Sequence, residues 1–154
     1  MKAMHTMKKA TLLVSKRFPA KHTRAGQATN FKEKIERREK IHTIRDNYDW
    51  WEQKASLIQK GEMELCIRSW IDQPYNSKQE EWSRLQKIGL QKITMTYDST
   101  DGYPKAFVED KQIPIQELAM HDGLSVEDFI DWFFGSGKTN VYDGVIIHFT
   151  NFTY

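Results

Sequence analysis

The densest supply of potential chemistry in this chain lies in seven residues, Lys40-Ile41-His42-Thr43-Ile44-Arg45-Asp46. They bring two long cations, a hydroxyl and a carboxylate together, with an imidazole between them. The fork of donors on Arg45 suits a phosphate or a base edge. In a strand, side chains alternate between faces, so His42 and Ile44 share one side. Lys40 joins Thr43 only if the strand bends. On spacing alone the simpler account is a solvated strand end whose arginine pairs with a surface acid.

The other chemically suggestive stretches carry less. Gly135-Ser136-Gly137-Lys138-Thr139 imitates the end of a phosphate-binding loop. The full pattern needs a glycine where Trp132 stands, and it needs a strand before it and a helix after it. Here a helix precedes, so a nucleotide triphosphatase is rejected and a helix stop is expected. The five histidines, at 5, 22, 42, 121 and 148, form no His-x-x-x-His pair and have no cysteine beside them. No zinc or other metal site is expected, and no cofactor. His148 reads as a packed or edge histidine. The single cysteine, Cys66, excludes an internal disulfide and sits in the apolar run Leu65-Cys66-Ile67, as a small core residue would.

The bulk numbers bound the function class. The chain has 154 residues, 29% charged and 39% hydrophobic, enough for one ordinary core. Lys plus Arg is 23 against 21 Asp plus Glu, a formal net charge of +2. Such a balance does not announce a nucleic-acid binder, which needs a concentrated basic face. The distribution is uneven, however. Residues 1–24 hold seven cations and no acid, whereas residues 98–131 hold nine acids against two lysines. No stretch approaches the ~18 apolar residues of a membrane span, and residues 1–5 lack the apolar segment of a secretory signal. No membrane association and a cytoplasmic location are the expectations.

The elements that must position the 40–46 segment can be read in outline. Residues 1–10 form a basic leader, expected to be loose. Residues 11–15 read as a first strand, and Thr29 or Asn30 can cap a helix to about residue 38. A second helix fits residues 48–59, with Trp51, Ala55 and Ile58 on one side and Gly61 past the end. Residues 62–70 alternate as a half-buried strand. Further strands are expected at 80–87 and 91–97, and residues 98–110 read as a polar, turn-rich connection. Ser125 opens a helix whose stripe is Val126, Phe129, Ile130 and Phe133, and residues 145–149 are the strongest strand signal. Strands and helices do not alternate regularly, so a parallel doubly wound sheet is excluded. The expected fold class is α+β, a small mixed or antiparallel barrel of five or six strands flanked by helices.

That order of elements, with the Lys40-x-x-Thr43-x-Arg45 stretch and the Asp122-Gly123 turn before the Ser125 helix, resembles the ASCH domain, a relative of the PUA RNA-binding fold. The resemblance runs from about residue 11 to 150, with residues 46–110 matched loosely. It implies a single PUA-like domain over 11–154 with an insert around 70–110. It implies RNA or a modified nucleoside as partner. The family includes an amidohydrolase that removes the acetyl group from N4-acetylcytidine with a lysine, a threonine and a glutamate. By motif those roles fall on Lys40, Thr43 and Asp122, with an aspartate where the family has glutamate.

The chemistry of such a set is coherent. A threonine hydroxyl attacks only if a base takes its proton. A lysine can be that base if burial or a neighbouring cation such as Arg45 lowers its pKa. A carboxylate can orient the lysine or pass a proton to the departing amine. Arg45 and Asp46 are the expected ligand contacts. Tyr48 and Trp50, which follow at once, are the expected stacking rings, each such contact worth about 1–3 kcal/mol. His42 is expected to face away. Three functions follow: a binding module for RNA or a nucleoside, an amidohydrolase on N4-acetylcytidine or a similar base, or an interaction protein docking a partner through residues 74–81.

Overall fold

In the computed structural model, residues 7–137 and 140–154 are described. Strand β1, Lys8–Leu13, buries Ala10 and Leu12 on one face while its lysines point out. The strand therefore begins inside the expected leader. Its partner explains why: β3, Met63–Trp70, runs parallel to it from the pair Lys8↔Met63, and a partner over fifty residues away leaves no local signal. The rest of that leader, residues 1–6, lies outside the described residues.

Helix α1 (Phe31–Glu36) leads into β2 (His42–Arg45), and α2 (Tyr48–Gln59) precedes β3. Strands β4 (Gln79–Leu85), β5 (Gly89–Asp98), β6 (Tyr103–Val108) and β7 (Lys111–Ile113) follow, then α3 (Ile115–His121), α4 (Val126–Phe134) and β8 (Val141–His148). The α+β class holds. The described strands number eight, in a three-stranded sheet ordered β1-β3-β4 and a five-stranded sheet ordered β2-β8-β5-β6-β7, neither closed on itself. Helix α2 packs on β3 of one sheet and on β5 and β8 of the other. One continuous core, with Leu12, Leu65, Ile67, Ile93, Met95, Phe129 and Ile146 at its centre, fills the space between. No helix among the described residues is long and apolar enough to cross a membrane.

The polar stretch 98–110 holds a strand rather than a loop. In β6 the buried positions are Pro104, Ala106 and Val108, too small or too unusual to show an apolar alternation. Pro104 is tolerated because β7 pairs only with Ala106–Val108, so the missing donor lies where β6 has no second neighbour. Glu109 and Asp110, both at positive φ, turn β6 tightly into β7, in acids rather than the usual Asn-Gly. Helix α3, between that hairpin and the Asp122 turn, is likewise absent from the sequence reading. By contrast α2 spans the expected residues, capped by Asn47, whose side chain accepts from Trp50 N at 3.3 Å. Helix α4 starts at the expected cap, where Ser125 Oγ accepts from Asp128 N at 3.1 Å, and ends at Gly135. Lys138 and Thr139 of the glycine-flanked motif lie outside the described residues. Cys66 is buried, as expected of a core residue; burial pushes its thiol up, and its Sγ lies 2.8 Å from Glu81 Oε1.

Candidate functional site

The site is built where β2 is pinned at both ends. Before the strand, residues 40 and 41 are irregular: Ile41 N donates to His121 O and its carbonyl accepts from Phe149 N, both at 2.9 Å. Strand alternation thus begins only at His42, and Lys40 is free to turn to the same side as Thr43 and Arg45. All three line one cleft of about 470 Å³, together with Asp46 and Asp122. The rings of Phe31, Trp132, Phe133 and Tyr142 share its other walls with aliphatic side chains such as Leu13, Val14 and Leu124.

Lys40 is 2% exposed, an unusual place for an ammonium. Its Nζ donates to Asp122 Oδ1 at 2.9 Å and to the Asp122 carbonyl at 2.8 Å, and it stands 4.3 Å from the Phe31 ring centre. The turn that presents Asp122 requires the next residue to be glycine. Gly123 has φ +77°, and a Cβ there would lie 3.0 Å from Lys40 Cβ. Lys34 Nζ also binds the Gly123 carbonyl at 2.8 Å, so two lysines tie the turn down. Burial lowers the Lys40 pKa against the pull of Asp122, with Arg45 and Lys34 adding to the decrease. For Asp122 burial acts upward, but Lys40 and His42 together hold the carboxyl below its usual value. The pair therefore combines a firmly ionised carboxylate with an amine that gives up its proton more readily than a free lysine.

Arg45 is committed to the fold as well as to the cleft. Its Nη1 donates to Thr43 Oγ1 at 2.6 Å and to Ile44 O at 2.9 Å, while Nη2 reaches Leu13 O at 2.8 Å. That last bond joins the two sheets. With the guanidinium occupying one lone pair, the Thr43 hydroxyl keeps its proton free to donate and is polarised toward the alkoxide. Gly144 in β8 makes the arrangement possible, because a Cβ there would lie 2.4 Å from the Arg45 carbonyl. Burial, then the nearby Asp46 charge, pushes the Tyr142 phenol up to about 12 against the opposing Arg45, so it stays a neutral donor.

Five of the seven expected site residues, Lys40, Thr43, Arg45, Asp46 and Asp122, meet in this cleft. Tyr48 and Trp50 do not. Asn47 adopts φ +63° and turns α2 away from the cleft. Tyr48 lines a separate hollow of about 590 Å³ along α2, with Lys92 Nζ 4.7 Å from its ring centre. Trp50 is 41% exposed and stands edge-on to Trp51. Of the rings that line the cleft, Phe133 is expected in the core from its helical spacing and Trp132 in the core or an interface as a tryptophan of a small domain; neither reading separates a core ring from a cleft ring. Proximity to the Ser125 cap, three residues after Asp122, is the available signal. His42 points to the opposite face of β2, as expected, and its surroundings are taken up below. Among the described residues no group of three or more His, Cys, Asp or Glu side chains is placed to hold a metal ion. Neither protein-family models, curated proteins nor solved structures give a match to this chain.

Proposed function

We propose that the chain is an ASCH-type domain, its two sheets an opened form of the PUA-like barrel, and that the Lys40–Asp122 cleft binds a modified nucleoside, free or within RNA. One observation carries this reading: a hollow of about 470 Å³ with four aromatic rings in its lining, in which buried Lys40 and half-buried Arg45 are balanced by buried Asp122 and exposed Asp46. Lys40 and Arg45 against Asp122 and Asp46 leave no net charge to attract a chain of phosphates. They leave donors and acceptors for a flat, neutral, polar molecule, with rings to stack it. The single cysteine suits a reducing compartment such as the cytoplasm.

Calorimetry with cytidine and N4-acetylcytidine tests it. Binding at the cleft should be nearly insensitive to salt, whereas contact with many phosphates loses on the order of 10³-fold in affinity over a modest rise in salt. Absence of nucleoside binding, with RNA affinity that falls steeply with salt, would sink the cleft reading and leave a phosphate-tracking surface.

A specific contact favours turnover as well. Arg45 Nη1 on Thr43 Oγ1 at 2.6 Å prepares the hydroxyl as a nucleophile. On an N4-acylated cytidine, Thr43 Oγ would bond to the acyl carbon while Lys40 takes the hydroxyl proton. The C–N bond then breaks, and that proton goes to the departing N4. Water cleaves the threonyl ester, releasing the carboxylic acid and restoring the hydroxyl. Release of cytidine from N4-acetylcytidine, lost in Lys40→Ala and in Thr43→Val, is the expected result; turnover persisting in both variants would remove this chemistry and leave binding.

A further inference from the structure

Asp122 is approached from both faces of β2: by Lys40 from the cleft and by His42 from behind. His42 is fully buried, and its Nδ1 lies 3.5 Å from Asp122 Oδ1, outside good hydrogen-bond geometry and with no other partner. Its other nitrogen, Nε2, is 2.7 Å from Tyr154 Oη, and that hydroxyl is 2.9 Å from Nδ1 of half-buried His121. Tyr154 cannot drift. Its N donates to Gln91 Oε1 at 2.8 Å and its carbonyl accepts from Gln91 Nε2 at 3.1 Å. Gln91 is fixed in turn by His148 Nε2 at 2.9 Å.

We infer that His42 is a positioning residue for the Lys40–Asp122 pair, held as the Nδ1–H tautomer by a one-way hydrogen-bond chain from His121 through Tyr154. The direction follows from donor and acceptor inventories. An ionised Asp122 offers only lone pairs, so His42 Nδ1 must carry a proton to face it without repulsion. Nε2 of a neutral ring is then an acceptor, and Tyr154 must donate to it. The Tyr154 oxygen is left to accept from His121 Nδ1–H. The reverse polarity would set an imidazole lone pair against a buried carboxylate. The other titratable groups around the chain agree with it: burial raises the Tyr154 phenol and keeps it a donor, and it lowers His121 and His148, which stay neutral. Glu117 faces Tyr154 and His121, Glu109 touches Gln91, and Lys40 completes the set beyond Asp122.

The consequence is a tuned lysine. The His42 N–H draws charge from Asp122 that would otherwise hold the Lys40 ammonium, so Lys40 is easier to deprotonate with His42 than without it. This effect on activity rests on the cleft reading, but the chain itself is tested without any ligand. Long-range 1H–15N spectra of the full chain should show His42 protonated at Nδ1; protonation at Nε2 in the wild type would overturn the inference. Two substitutions then separate positioning from packing. His42→Asn keeps an N–H near the Nδ1 position and should leave the Lys40 titration, followed by NMR at the lysine side chain, at its wild-type midpoint. His42→Gln moves its amide toward the Nε2 position and should raise that midpoint by about one pH unit. Equal midpoints in the two variants contradict the assigned role. If neither variant folds, the wild-type tautomer still decides. Nucleoside titration of the same samples reports the fate of the cleft reading separately.

Discussion

Two hollows among the described residues, one along α2 and one beside β2, differ in what lines them. The one along α2 is the larger, about 590 Å³, yet its polar lining is ordinary surface, such as Ser56 and Gln59 of the helix and Lys87 of the β4–β5 connection. The smaller, about 470 Å³, holds a lysine, an aspartate and a threonine taken almost completely out of water. Burying charge costs several kcal/mol per ion unless the partners are well placed, and folding tolerates that cost in only one of the two places. Volume therefore does not distinguish a site here. Buried, mutually satisfied charge does, and the contrast can be tested by removing its parts in turn.

The largest effect should come from Asp122→Ala. It leaves the Lys40 ammonium buried without its partner, which costs about 3–5 kcal/mol. Urea unfolding should show that loss, and nucleoside binding should vanish; a loss under about 1 kcal/mol would mean that water reaches Lys40 and that the two hollows are alike. Next comes Gly123→Ala, which places a side chain at φ +77° and 3.0 Å from Lys40. The expected cost is about 1–3 kcal/mol, with weakened nucleoside binding because the Asp122 turn must shift.

Acid should act on the region behind β2. Burial, with His42 and His121 nearby, lowers His148 to about 4 from its ordinary 6.5. The unfolded chain then binds more protons than the folded one between those values, so stability falls as pH drops from about 6.5 toward 4, by on the order of 2 kcal/mol after allowance for solvent screening. Asp122, whose folded value is lowered, adds a further loss only below its unfolded value, as the pH falls through the folded one. Urea unfolding across pH should show that slope in the wild type and a shallower one in His148→Gln.

Thr43→Val removes one hydrogen bond to Arg45 while Ile44 O and Leu13 O still hold the guanidinium. It should cost about 1 kcal/mol of stability, and hydrolysis, if present, should disappear while cytidine still binds. The smallest effect belongs to Trp50→Ala, on the exposed side of α2: within about 0.5 kcal/mol on stability and none on nucleoside affinity. A drop in affinity there would transfer the site toward α2.

How much of this was legible in the chain depends on the range of the cause. Local causes were readable. The Ser125 cap, the apolar stripe of α4, the Trp51, Ala55 and Ile58 face of α2 and the alternation of β3 all act within a few residues, and the elements lie where those signals do. Lys40, Thr43 and Arg45 stood out by residue type, but Asp122 was joined to them only through the family resemblance. Alternation alone puts Lys40 and Thr43 on opposite faces; the irregular residues 40–41, pinned by His121 and Phe149, undo that. The expected stackers Tyr48 and Trp50 failed because a single positive φ at Asn47 redirects the helix, and composition does not report a backbone angle. Strand β6 was hidden by Pro104 and Ala106, and the early start of β1 by its dependence on a distant parallel partner. The Tyr154–His42 chain joins residues more than a hundred positions apart, and no spacing rule reaches that far.

The most direct measurement is an NMR titration of the intact protein with N4-acetylcytidine, following which resonances move. The account predicts shifts confined to Lys40, Thr43, Arg45, Asp122, Trp132 and Tyr142, with Tyr48, Glu52 and Ile88 unmoved. Shifts along α2 instead, or none at saturating nucleoside, would contradict it.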